Sequence, residues 1–133
     1  MKLKNMLIVV KDIERSKAFY RGLFGLDVLT EFEGNVILTE GLVLQDANIW
    51  ESCINKTIEY GTNNVELYFE ENAMDRFEEK LTQWPDPITF VTPFSQNGWG
   101  QRLVRLYDPD GHLIEVRESM TVVSRRNMDQ SEV

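Results

Sequence analysis

The chain is poor in the side chains from which reactive sites are most often built: of 133 residues, one is cysteine and one is histidine. Cys53 cannot form an intrachain disulfide and has no CxxC partner, which excludes a disulfide framework and a thiolate metal site. A small buried or idle thiol is its expected role, in preference to a nucleophile. With His112 as the single histidine, no His-based general base or metal cluster is expected, and a surface or helix-packed place is assigned to it. Long apolar runs are missing as well. The stretch Met6 to Val10 is far shorter than a signal-peptide core or a membrane span, so a cytoplasmic location is expected. Basic residues are outnumbered, 14 Lys and Arg against 22 Asp and Glu, for a formal charge of −8. A field of that sign repels phosphate backbones and anionic lipid, so neither nucleic acid nor a membrane is expected as partner.

What is present is ordinary globular material. Hydrophobic residues make up 42% and charged residues 27%, enough apolar surface for one well-buried core and too little polarity for a long disordered segment. Residues 3 to 10 read as a strand, and Asp12 is placed to cap a helix that begins at Ile13. Ala18, Phe19, Leu23 and Phe24 fall at helical spacing before Gly25, a residue suited to a C-terminal cap. Short strands follow at Asp27 to Phe32, Val36 to Thr39 and Leu42 to Asp46, separated by Glu-Gly turn signals. Residues 47 to 61 form a connector with room for a short helix.

The pattern then restarts. Asn64 to Phe69 alternates as a strand, and Ala73 to Trp84 carries Phe77, Leu81 and Trp84 at helical spacing until Pro85 ends it. Ile88 to Thr92, Gln101 to Tyr107 and His112 to Glu118 supply three more strands. The last two are joined through Asp108-Pro109-Asp110-Gly111. The fold class is therefore α+β, with an internal duplication of about sixty residues giving two βαβββ modules, about 1–46 and 62–118, that pair into one domain spanning 1–118. The tail, 119–133, can place Met120, Val123 and Met128 on one face of a short helix or contact a partner, with terminal fraying favoured.

The segment Val10-Lys11-Asp12-Ile13-Glu14-Arg15-Ser16-Lys17-Ala18-Phe19-Tyr20, followed by Gly25, resembles the first-helix signature of the vicinal oxygen chelate superfamily, which holds glyoxalases, bleomycin-resistance proteins and dioxygenases. Asp108-Pro109-Asp110-Gly111-His112, with Ile114-Glu115, resembles its last hairpin. The resemblance implies a cup enclosed by two curved sheets, a homodimer, and a metal held by a first-strand and a last-strand side chain of each module, commonly His or Glu. The matching positions here are Asn5, Gln45, Asn64 and Glu115. That set is one carboxylate and three amides, with Glu115 the one retained ligand type, so no metal cofactor is expected.

Strand parity places Leu7 and Val9 with Asn5, Val43 with Gln45, Glu66 and Tyr68 with Asn64, and Leu113 with Glu115, all toward the cup. Met6, Ile8, Val10, Leu44, Val65, Leu67, Phe69 and Ile114 take the opposite, helix-covered face. A type I turn through Pro109-Asp110-Gly111 sets Arg105 opposite Glu115, where it either pairs with that carboxylate or points to solvent. Glu66 and Glu115 are the candidate acid and base if the cup holds both carboxylates. Trp99, Phe94, Trp50 and Tyr107 can line an apolar mouth, and Asn97-Gly98-Trp99-Gly100 reads as a flexible loop suited to a gate.

Three functions follow. The first is metal-independent binding of a small organic molecule, aromatic or cationic, by Asn5, Gln45, Asn64, Glu66, Tyr68, Trp99, Arg105 and Glu115. The second is a divalent-metal enzyme, whether lyase, isomerase, thiol transferase or dioxygenase, as the resemblance suggests. The third is an interaction module with no ligand.

Overall fold

A computed structural model describes residues 1–131. It divides into two compact units: Met1–Thr62 with the turn Pro109–His112, and Asn63–Asp108 with the segment from Leu113 onward.

The first unit opens with β1, Met6–Val10, whose alternation buries Ile8 and Val10 and leaves Leu7 exposed. Helix α1, Ile13–Phe24, starts where the Asp12 carboxylate accepts from the Arg15 amide at 3.1 Å. Phe19, Tyr20 and Leu23 make its buried stripe, and Gly25 closes it at φ 67° with its N–H on the Arg21 carbonyl. Strands β2 (Val28–Phe32) and β3 (Asn35–Leu38) meet at Glu33-Gly34. Both residues of that turn have positive φ, 44° and 76°, the geometry that matches strand twist in a two-residue hairpin. A 3-10 turn at Thr39–Gly41 leads into β4, Leu42–Asp46. The connector carries a helix, α2, over Ala47–Ile54, capped by Asp46. Cys53 lies on α2 and is exposed rather than buried.

β4 pairs parallel with β1 and antiparallel with β3, giving the order β1-β4-β3-β2. As an inner strand it is covered on both faces, with Leu42, Val43, Leu44 and Gln45 all buried.

The second unit repeats the plan. It runs β5 (Glu66–Glu71), α3 (Met74–Gln83), β6 (Phe90–Gln96), β7 (Arg102–Tyr107) and β8 (Leu113–Glu118), with sheet order β5-β8-β7-β6. The first and last strands of each module are the parallel pair, and in both units the last strand is an inner one. The two βαβββ modules read from sequence are therefore both present. Two parity assignments fail at the strand ends: Met6 and Val65 are exposed rather than covered, because each stands at or before the first residue of its strand.

β6 differs from expectation. It begins at Phe90 and continues through Pro93 to Gln96, where the sequence suggested a strand over Ile88 to Thr92. β6 is an edge strand with register shifts on both sides of Thr92, so the missing proline N–H removes no ladder bond.

The tail is not frayed over the described residues. Helix α4 spans Met120–Ser131, with Val123 fully buried; Glu132 and Val133 lie outside the described residues. Among the described residues, no helix is long and apolar enough to cross a membrane.

Candidate functional site

The chemistry concentrates on the inner strand β8. Glu115 faces Arg105 of β7 on one side and Tyr68 of β5 on the other. The expected cross-strand pairing is present, with Arg105 Nη2 2.5 Å from Glu115 Oε1. A second arginine completes it: Arg117, two residues along β8 and so on the same face, donates from Nε to Glu115 Oε2 at 3.0 Å. Both carboxylate oxygens are thus engaged, and the Glu115 side chain is only 7% exposed. The guanidinium groups are anchored in turn. Arg105 Nη1 donates to Thr92 Oγ1 at 3.2 Å, and Arg117 Nη1 donates to Gln101 Oε1 at 3.1 Å. Sequence reasoning missed Arg117, although the i, i+2 spacing from Glu115 was the signal that could have found it.

Other expected site residues are distributed differently. Tyr68 is on the face of Glu115 and 54% exposed. Glu66 is on that face too but exposed, in register with Leu113, so the two carboxylates are not direct neighbours. Asn64 is exposed and precedes β5, while Asn5 precedes β1 beside Gly41. Each stands four positions before the residue that faces Glu115 or Gln45, which are Tyr68 and Val9. Gln45 is buried, and its amide is used within its own sheet, accepting from Asn35 Nδ2 at 2.7 Å and donating to the Asp46 carbonyl at 3.3 Å.

The loop read as suited to a gate is a hydrogen-bonded turn. Asn97 Oδ1 accepts from the amides of Trp99 and Gln101, both at 3.0 Å, and the Gly100 carbonyl accepts from Arg126 Nη2 of α4 at 2.6 Å. These bonds satisfy the polar groups that a flexible loop would leave to water. Trp99 projects from this turn, 73% exposed. Phe94 packs against Phe77 and Phe90, Trp50 is half-buried, and the Tyr107 hydroxyl donates to Asn63 Oδ1 at 2.5 Å.

On the opposite face of β8, Glu118 forms a second carboxylate centre. Arg102 donates to it from Nε and Nη2 at 3.2 and 2.9 Å, and Arg126 from Nη1 and Nη2 at 3.0 and 2.8 Å. Arg102 also pairs with Asp75. These guanidinium hydrogen bonds, Arg126 first, pull the Glu118 carboxyl down to about 2.

The β7–β8 turn corrects one further expectation. Asp108, Asp110 and His112 alternate along it and bring one ligand atom each within 4.8 Å of one another, although no cluster containing His was expected. Asp110 Oδ1 is engaged by Arg15 Nη2 at 2.8 Å and by the Lys11 amide at 3.3 Å. His112 stands edge-on to the Tyr60 ring, 6.4 Å between centroids.

Comparison with known proteins agrees with this geometry. The model of the glyoxalase-like domain family matches residues 3–121. A crystal structure of a protein of unknown function from Agrobacterium tumefaciens is 34% identical, with a TM-score of 0.75 over 90% of this chain and 94% of that one. A lactoylglutathione lyase from the same organism shares the fold at 20% identity and a TM-score of 0.67, covering 90% and 95% of the two chains. The metallothiol transferase FosB of Lysinibacillus sphaericus is 22% identical over 85% of this chain and 79% of its own length. With two βαβββ modules of matching strand order and a family match over nearly its whole length, the chain belongs to the glyoxalase-like family of the vicinal oxygen chelate superfamily.

Proposed function

We propose that this family member binds a small organic molecule without the aid of a metal ion. The observation that carries the reading is the state of Glu115: its two oxygens are taken by Arg105 and Arg117. Of the four positions at which the family commonly supplies His or Glu, Glu115 is the one that offers a carboxylate. Gln45, a second, already gives its amide to Asn35 and Asp46. What remains is the amide groups of Asn5 and Asn64, which are weak donors for Zn²⁺, Ni²⁺, Fe²⁺ or Mn²⁺. The donor set does not fit such an ion. Displacing two guanidinium groups from a nearly buried carboxylate would also leave them without their charge partner, which opposes metal entry.

Calorimetric titration of chelator-treated protein with Ni²⁺, Zn²⁺, Mn²⁺ and Fe²⁺ tests the reading. The expected result is no near-stoichiometric binding at these positions. Micromolar binding that vanishes in Glu115→Ala would overturn it and direct assays to lyase, thiol-transfer and dioxygenase chemistry.

A further inference from the structure

We propose that the open face of the second sheet around Glu115 takes a small aromatic monocarboxylate, anchored by Arg105 and Arg117 and stacked on Tyr68. The inference rests on the metal-free binding reading and adds the ligand class to it. Tyr68, Glu115 and Arg105 lie at one register level across three neighbouring strands. At about 4.8 Å between strands, the span from Tyr68 to Arg105 is about 10 Å, the reach of one ring carrying one carboxylate.

The guanidinium groups at the level of Glu115 suit an anion rather than a cation. Two guanidinium groups share the nearly buried Glu115 carboxylate, an excess of one positive charge at that level of the sheet, while the exposed Glu66 and Glu70 bring the whole face to three carboxylates against two guanidinium groups. Their side chains are 30% and 27% exposed, enough to be reached from solvent and covered enough for charge to matter. Each guanidinium has five N–H groups and engages two partners here, so donors remain for a ligand carboxylate. Glu115 also holds both arginines in place, which lowers the ordering cost that an anion would otherwise meet. The exposed Glu66 and Glu70 of β5, the latter in register with Arg117, oppose a second negative charge and favour a monoanion over a phosphate. Tyr68, more than half exposed, offers its ring between them.

The test uses the full chain in EDTA, titrated by calorimetry with benzoate, acetate, benzamide and phenylphosphate. Benzoate is expected to bind, with benzamide weaker by at least about tenfold, the loss typical of one missing charged hydrogen-bonded contact, and with acetate, which lacks the ring, and phenylphosphate, which carries further negative charge, also weaker. Arg117→Gln, which leaves Glu115 paired with Arg105, is expected to weaken benzoate by a similar factor. Tyr68→Ala is expected to weaken benzoate while leaving acetate unchanged; as an exposed position it keeps the test decisive if Arg117→Gln fails to fold. Benzamide binding as tightly as benzoate, or benzoate binding unchanged in Tyr68→Ala, would overturn the proposal. If benzoate fails to bind in EDTA while the metal titrations are silent, this inference falls and the metal-free reading stands. Benzoate binding that appears only after Zn²⁺ or Mn²⁺ is added would overturn both.

Discussion

Glu115 and Glu118 stand three residues apart on one strand, on opposite faces, and each is held by two arginines. Their consequences differ. Glu118 has no side-chain exposure, and its carboxyl is lowered from 4.5 to about 2, mainly by Arg126. A lowered folded-state pKa stabilises the protein above the ordinary carboxylate range, and that contribution is lost as pH falls. Urea midpoints are therefore expected to drop between about pH 4.5 and 2, in the window set by these two values. In Glu118→Gln that part of the pH dependence should disappear, and stability at neutral pH should fall by less than the roughly 3–5 kcal/mol of a fully buried pair, because Arg102 and Arg126 keep about a third of their side-chain exposure and are screened by solvent. A Glu118→Gln profile parallel to that of the unsubstituted chain would show that other carboxylates control acid unfolding. The Arg105–Glu115 pairing was legible because the hairpin fixes the register through Gly111. The second arginine, Arg117, was not legible from register alone, because it reaches Glu115 along one strand and not across two.

Among the elements, helix α4 has a task that composition did not suggest. Arg126 ties Glu118 to the Gly100 carbonyl, and Asn127 Nδ2 approaches the Trp99 carbonyl at 3.4 Å. Hydrogen exchange should therefore report faster opening of the Trp99 and Gln101 amides in Arg126→Ala. Unchanged protection would mean that the turn is held without Arg126, by Asn97 and by Gln96 Nε2, which also donates to the Gly100 carbonyl at 2.9 Å. The β2–β3 hairpin makes a second demand. A Cβ on Gly34, which sits at φ 76°, would lie 2.4 Å from Ile49 Cδ1 and 3.0 Å from Asp46 Cβ. Gly34→Ala is expected to lower stability by about 1–2 kcal/mol in denaturant unfolding, because a left-handed conformation penalises an L side chain even if Ile49 moves aside. Helix α1 was readable from its Asp12 and Gly25 caps. β6 was misread because Pro93 looked like a stop, and a proline is compatible with a strand wherever that strand is an edge.

For the molecule as a whole, the proposed metal independence predicts a simple signature. If Glu115 is occupied by arginine, EDTA treatment and Zn²⁺ addition should leave the thermal midpoint within about 1 °C, whereas an ion bound only by the folded state would raise it with concentration. A midpoint that climbs steadily with Zn²⁺ would contradict the reading. The fold itself was written into the sequence, since periodicity, caps and turn residues are local properties, and two copies of the same local pattern specify two copies of one sheet. The composition of the expected positions was equally plain, with amides at Asn5, Gln45 and Asn64, whereas the grouping of the single histidine with Asp108 and Asp110 was not. Only tertiary structure decided what occupies Glu115, where the tail goes and what holds the Asn97–Gly100 turn. Each of those depends on contacts between residues distant along the chain, whose partners are set by strand order and register, and no local pattern encodes them.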